Sequence, residues 1–308
     1  MSRSIPLIID TDVALGAWHE GRPRDIDDGF AIIEAMNAEA IDLLGVTTVY
    51  GNAPHDDVYR IAKELIELKQ SKVPVVAGAT NNAPSKTQPT HAALPAVEFI
   101  AQELRKQPLT IAAIGPLTNI AALVHNYPEL IPNIEKLVVV AGRTPGNHFY
   151  ISGTGPVADF NFDNDVVAMR TLLDAQLPTV LAGFELTSQV VITEQDLASI
   201  RARQTPLANY FYENSIDWVR HWTTTFEADD GFHPWDSAAI NYLLHPENFV
   251  AEQRVAGIGQ LDGAPTLDCH PTQESVDLKA GTSMVTYLTG FTPGGKARFV
   301  ADVVNNLY

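Results

Sequence analysis

The chain has 308 residues, 45% of them hydrophobic, which is enough to bury a large core as one α/β domain. Its 37 Asp plus Glu against 20 Lys plus Arg leave a formal charge of -17, which opposes contact with phosphate backbones and excludes nucleic acid as a partner. The single cysteine, Cys269, excludes an intrachain disulfide framework and a cysteine-rich zinc site, and with no stretch of transmembrane length and no cleavable leader the expectation is a cytoplasmic protein without a membrane partner.

The apolar run Ile5 to Ile9 ends in Asp10-Thr11-Asp12. It reads as a buried parallel strand delivering carboxylates to its C-terminal edge, where open α/β sheets place their ligands. Asp25, Asp27 and Asp28 then lead into FAIIEAMN, whose Phe30, Ile33 and Met36 fit a helix packed on that sheet. The alternation continues with a strand over 41–51, a helix over 56–70, a strand over 73–78, a helix over 96–107 and a strand over 109–115. It goes on with a helix over 117–128, a strand over 136–142, a helix over 165–176 and a strand over 178–186. This rhythm is the βαβ signature of a parallel sheet. Residues 193–233 change character and read as a helical excursion over the strand ends. Beyond HPWDSAAINYLL, the segments VAGIGQLDG and SVDLKAGTSMVTYLT alternate like exposed antiparallel strands, and GGKARFVADVVNNLY closes as a helix. The expected architecture is a single domain over 1–308, an α/β fold with a Rossmann-like, open, mostly parallel mixed sheet flanked by helices. Two Gly- and Pro-rich loops, Gly16 to Arg24 and Arg143 to Pro156, follow strands at the end of the sheet where function concentrates.

Carboxylates therefore converge from both ends of one βα connection. Asp12, Asp27 and Asp28 incur repulsion and desolvation together unless a hard divalent cation or a hydroxyl-rich ligand compensates them. Asp10 alone fits a cap or a bond to loop amides equally well.

In their order the motifs resemble those of the nucleoside hydrolase, or inosine-uridine preferring, family. Asp10, Asp12, Asp27, Asp28, Ala31 and Ile32 match its DTDxGxDDxxAI start, with the short spacer replaced by VALGAWHEGRPRDI. GVTTVYGN at 45–52, IGPLTNIA at 114–121, PVADFNFDND at 156–165 and HPWDSAA at 233–239 are similar to four further family segments, so the resemblance runs along nearly the whole chain. It implies the nucleoside hydrolase fold and a ribonucleoside N-glycosidase that releases ribose and free base. It also implies Ca²⁺ held by Asp12, Asp28, Asp236 and the Thr118 carbonyl, a set of oxygen donors that suits that ion. Asp12 is then the catalytic base toward a water of lowered pKa, while Asp27, Asn52 and Asn161 contact the ribose as its C1′ becomes oxocarbenium-like. Asp159 stands where the family has glutamate toward the 5′-hydroxyl, one methylene shorter, and Asn147 is the candidate for the other sugar-end asparagine, with direct spacing pointing to Gly153 instead.

Trp235 replaces a histidine that in the inosine-uridine branch acts as an acid, and the Trp-Asp pair resembles the purine-specific inosine-adenosine-guanosine branch. An indole has no titratable proton for that task, so Trp235 acts by stacking or packing, and purine nucleosides are the expected substrates. Trp18, His19, Phe149 and Tyr150 are candidates for a second aromatic wall, Phe160 for a substrate contact, and His91, His148 and His233 for acids. Phe211, Ile216 and Trp218 fall on helical faces, usually a sign of packing. Two rivals remain. DTD after a strand also resembles the nucleophile and acid of a haloacid-dehalogenase-like phosphohydrolase, which leaves Asn52, GPLTN and DFN unexplained. A non-catalytic nucleoside or sugar sensor is compatible with the altered spacer and Asp159. A homodimer or homotetramer is implied by the resemblance alone.

Overall fold

The computed structural model describes residues 4–83, 94–227, 229–272 and 278–307, so His91 lies outside the described residues. In chain order the elements begin β1 (Ile5–Thr11), β2 (Trp18–His19), β3 (Arg22–Pro23), α1 (Asp27–Asn37), β4 (Ile41–Thr48), α2 (His55–Leu68) and β5 (Val75–Ala77). They continue α3 (Pro95–Lys106), β6 (Leu109–Ala113), α4 (Thr118–Asn126), β7 (Ile134–Val139), α5 (Phe160–Asn164), α6 (Val166–Asp174), β8 (Thr179–Ala182) and α7 (Phe184–Thr187). The rest are β9 (Ile192–Thr193), α8 (Glu194–Arg201), α9 (Pro206–Thr225), β10 (Gly231–Phe232), α10 (Ser237–Leu244), β11 (Phe249–Leu261), β12 (Ala264–Pro271), β13 (Thr282–Phe291) and α11 (Gly295–Asn305).

Nine strands form one sheet in the order β12-β11-β13-β8-β7-β6-β1-β4-β5. The strands from β13 to β5 pair in parallel, whereas β11 runs antiparallel to both β13 and β12. The mostly parallel mixed sheet flanked by helices is therefore present. Burial on both faces explains why β1 reads as an uninterrupted apolar run. The chain leaves β1 toward β4 and β5, then returns to its other side for β6. The C-terminal end of β1 is thus the switch point where an open α/β sheet leaves a crevice. Helices α1 and α10 pack against each other over this end, with Phe30, Ile33 and Ala239 in the core.

Three sequence expectations are corrected. The strand expected over 178–186 stops at Ala182, and Phe184–Thr187 turns into helix after Gly183, where a side chain would run into the Tyr287 ring. The edge strand β12 was not expected, because Pro265 and Pro271 break its apolar alternation, as edge strands tolerate. Finally, β13 is antiparallel to β11 but parallel to β8, so only the far edge of the sheet has the exposed antiparallel character. The excursion over 193–233 is helical in α8 and α9, with a two-stranded β9–β10 ladder at its ends. Among the described residues no helix is long and apolar enough to cross a membrane.

Candidate functional site

Asp12 leaves β1 at the switch point and sits between two glycines. A Cβ on Gly51, after β4, would collide with its carboxylate, and one on Gly115, after β6, would lie 3.0 Å from its Oδ1. The Asn52 backbone N–H donates to Asp12 Oδ2 at 2.7 Å, and Oδ1 is buried without a partner. Asp27 and Asp28 occupy the first turn of α1, where the free N–H groups and the helix dipole favour anions. Thr11 donates its hydroxyl to Asp28 Oδ1, leaving Oδ2 buried and unpartnered, and Asp27 Oδ2 accepts the Asp236 N–H at 2.9 Å. One carboxylate oxygen from each of Asp27, Asp28 and Asp236 lies within 4.8 Å of the others.

The electrostatics follow from burial. Loss of solvent is the main cause that pushes the Asp27 carboxyl up to about 6 and the Asp28 carboxyl up to about 7. Burial also holds Asp12, Asp25 and Asp236 well above the usual carboxylate range, and the neighbouring aspartates add to it. Among the described residues no Lys or Arg forms an ion pair with Asp12, Asp27, Asp28 or Asp236. Orphaned buried oxygens on converging acids, with no nitrogen or sulfur donor among them, fit a hard divalent cation. Asp10 Oδ1 accepts from Thr47 Oγ1 at 2.6 Å and Asn119 Nδ2 at 2.8 Å, and so ties β1 to β4 and α4, while its Oδ2 is buried without a partner.

A cavity of about 460 Å³ opens beside the acids, within the roughly 300–1,000 Å³ usual for small-molecule sites. Of the predicted residues, Asp27, Asn52, Asp159, Phe160, Asn161, Trp235 and Asp236 line it. Asn161 donates its amide NH₂ to the Ile114 carbonyl at 3.1 Å and the Val140 carbonyl at 3.2 Å; two acceptors require the nitrogen end there. Asp159 Oδ2 accepts the Gly142 N–H at 3.0 Å, and burial pushes its carboxyl up to about 7.

Several predicted residues lie elsewhere. Thr118 starts α4 and donates its hydroxyl to Asp165 Oδ2 at 2.6 Å; from this turn it is Ile114, not Thr118, that lines the cavity. Asn147 points at Glu185, donating to Oε1 at 2.9 Å, and is absent from the lining. Trp18 is 59% exposed on the β2–β3 hairpin, and His19 and Tyr150 are exposed too, so Phe149 alone of the proposed second wall reaches the cavity. His233 is locked away: Nδ1 is 2.6 Å from the Val190 carbonyl and Nε2 is 3.0 Å from Asp229 Oδ2. Its ring centroid lies 4.5 Å from that of Trp235, which makes it a support for the indole and not an acid facing the cavity. His148 lies 3.8 Å from Asp262 and is likewise outside the lining.

Apart from Phe149, Trp218 and Asp25, the other lining residues were not singled out in the sequence. Phe149 stacks on Phe184 at 4.0 Å, and Phe184 on Trp235 at 5.8 Å, a tier of rings along one wall. Trp218, His221, Trp222, Thr225 and Phe226 form the cavity face of α9. Their i, i+3/i+4, i+7/i+8 spacing was legible, but an aromatic stripe reads as core. Arg22, Arg24 and Asp25 reach the wall from the inserted segment.

Comparisons with known proteins agree with this geometry. The family model described as inosine-uridine preferring nucleoside hydrolase matches residues 7–304. A pyrimidine-specific ribonucleoside hydrolase, RihA, of Shewanella woodyi is 30% identical over 255 residues, covering 75% of this chain and 80% of that protein. The RihA of Salmonella enteritidis is 27% identical over 278 residues, covering 83% and 84%. Among solved structures, a purine-preferring ribonucleoside hydrolase from Gardnerella vaginalis superposes with a TM-score of 0.80 at 19% identity, covering 98% of each chain.

Proposed function

The chain belongs to the inosine-uridine preferring nucleoside hydrolase family and is a hydrolase of N-glycosyl bonds; from that premise we propose that it cleaves purine ribonucleosides to ribose and free base in the crevice beyond β1, with Ca²⁺ as its resident cation. The observation that carries the reading is the set of buried, unpartnered oxygens on Asp12 and Asp28 beside Asp27 and Asp236. Asp12, Asp28, Asp236 and one backbone carbonyl would hold the ion. Lining of the cavity supports Ile114 for that carbonyl in place of Thr118. When bound, such an ion supplies a lowered pKa for an attacking water and a seat for the ribose diol.

The protein's own groups do the rest. Asp12, fixed through Oδ2 by the Asn52 N–H, offers its free Oδ1 to the proton of the water. Asp27, Asn52 and the oxygen end of the Asn161 amide hold the sugar hydroxyls, with Asp159 toward the 5′ end, and the negative field favours positive charge developing at C1′. Trp235, backed by Phe184 and Phe149, gives the base a flat surface.

The purine assignment rests on that indole surface; the pyrimidine reading rests on the names of two relatives. A panel of purine and pyrimidine ribonucleosides, with free ribose as the readout, decides. Purines cleaved faster than uridine and cytidine support the assignment, the reverse order replaces it, and no ribose from any nucleoside refutes the activity.

A further inference from the structure

Two guanidinium groups, Arg22 and Arg24, line a cavity whose other charged walls are the carboxylates Asp25, Asp27, Asp159 and Asp236. Both come from the β2–β3 hairpin. Its turn places Glu20 at φ 53 and Gly21 at φ 77, the paired left-handed geometry of a two-residue hairpin, and Arg24 N–H closes on the Ala17 carbonyl at 2.9 Å. Arg24 is held by Glu20 at 2.8 Å, with its Nε buried and unpartnered. Arg22 is exposed and has no ion pair within 4.0 Å among the described residues. Neither arginine is paired with Asp25 or Asp27, so neutralising the acids is not their role.

Arg22 lies beside His221 on α9. Burial, and then the Arg22 charge, lower the imidazole pKa. His221 shares its helix face with Trp218, Trp222 and Phe226, and Trp222 meets Trp235 edge to face at 6.4 Å. The aromatic end of the cavity, where a flat base fits, is thus the end that carries the positive charge.

Cleavage of the C1′–N bond leaves its electron pair on the base, which departs either protonated or as an anion. Around the base, Trp235 has no proton to give and both nitrogens of His233 are engaged. We propose that Arg22, on a hairpin held in place by Arg24, stabilises the negative charge of the departing base, most of all where an oxo group on that base receives the charge. The inference rests on the nucleoside hydrolase reading above. In the step, the C1′–N pair moves to the base, the water oxygen bonds to C1′ and its proton passes to Asp12, and the base anion then takes a proton from solvent.

The test compares Arg22→Ala and Arg22→Lys with wild type on inosine, uridine, adenosine and p-nitrophenyl riboside, whose leaving group is already a stable anion. Arg22→Ala should lose about tenfold more kcat/KM on inosine and uridine than on p-nitrophenyl riboside. That is less than the 10²–10³ of a desolvated oxyanion donor, because Arg22 is exposed. Arg22→Lys should recover part of the loss, and adenosine should suffer less than inosine. Equal losses on all four substrates, or none on inosine and uridine, overturn the inference while leaving the enzyme a nucleoside hydrolase. Failure of wild type on every one of these ribosides overturns the parent reading, and the inference with it.

Discussion

Replacing Gly51 by alanine adds one methyl group, and the structure leaves no room for it. The new Cβ would overlap Asp12 Oδ2 and lie 2.7 Å from Cγ and 2.9 Å from Cβ of the same side chain. The carboxylate has nowhere to retreat, because Gly115 packs behind it, its own Cβ direction only 2.9 Å from the Asp12 nitrogen. Relief requires moving either Asp12 or the loop that carries the Asn52 N–H, so the 2.7 Å bond between them is lost. Overpacking of this kind costs about 1–3 kcal/mol, and a displacement of about 1 Å at a reacting group costs on the order of 10²-fold in rate. Gly51→Ala should therefore lower kcat about 100-fold and the melting temperature by a few degrees, read by ribose release and thermal unfolding. Gly290→Ala is the control: its nearest neighbour is Gln189 Nε2 at 3.6 Å, and its stability should stay within about 0.5 kcal/mol of wild type. A Gly51→Ala protein turning over within threefold of wild type refutes the reasoning.

Asp28→Asn should abolish ribose release while raising the melting temperature of chelator-treated protein at pH 8. The folded-state carboxyl sits at about 7, above its usual 3.8, so its stabilising contribution is full below 3.8 and is lost as pH rises through about 7. A lower melting temperature for that variant under those conditions contradicts the assignment. Glu34, far from the cavity, gives a second titration. Burial pushes its carboxyl up to about 8, with the Asn241 amide opposing and Asp302 adding to the rise. Its contribution is complete below 4.5 and is lost as pH rises through about 8, so Glu34→Gln should match wild type near pH 4 and be more stable at pH 7. The gain is about 3.5 kcal/mol, from roughly 2.5 pH units at ~1.4 kcal/mol each. Denaturant unfolding at both pH values checks it, and a gain independent of pH sinks the explanation.

The central architecture was legible because its signals are strong. Six of the seven residues of β1 are buried and its Ile5–Ile9 stretch is an unbroken apolar run, and the helical period of α1 to α4 and α6 is long enough to read. Asp12, Asp27 and Asp28 stand out in the sequence because repulsion among converging acids asks for a ligand, whereas Asp236 is marked only by the family resemblance of HPWDSAA. Other features leave no such mark. A backbone carbonyl carries no trace in residue type; of the turn after β6, Ile114 is the residue that lines the cavity. The choice of Asn147 over Gly153 depended on the path of a long loop, and the loop carries Asn147 to Glu185. Two-residue strands are too short to alternate, which hid the hairpin that delivers Arg22 and Arg24.

Calcium titration of chelator-treated protein, followed by ribose release, tests the central claim most directly. Activity should be absent at the outset and rise with occupancy of one ion per chain, and an Asp12→Ala protein should stay inactive at every concentration. Full turnover in chelator, or wild-type turnover by Asp12→Ala, contradicts the account.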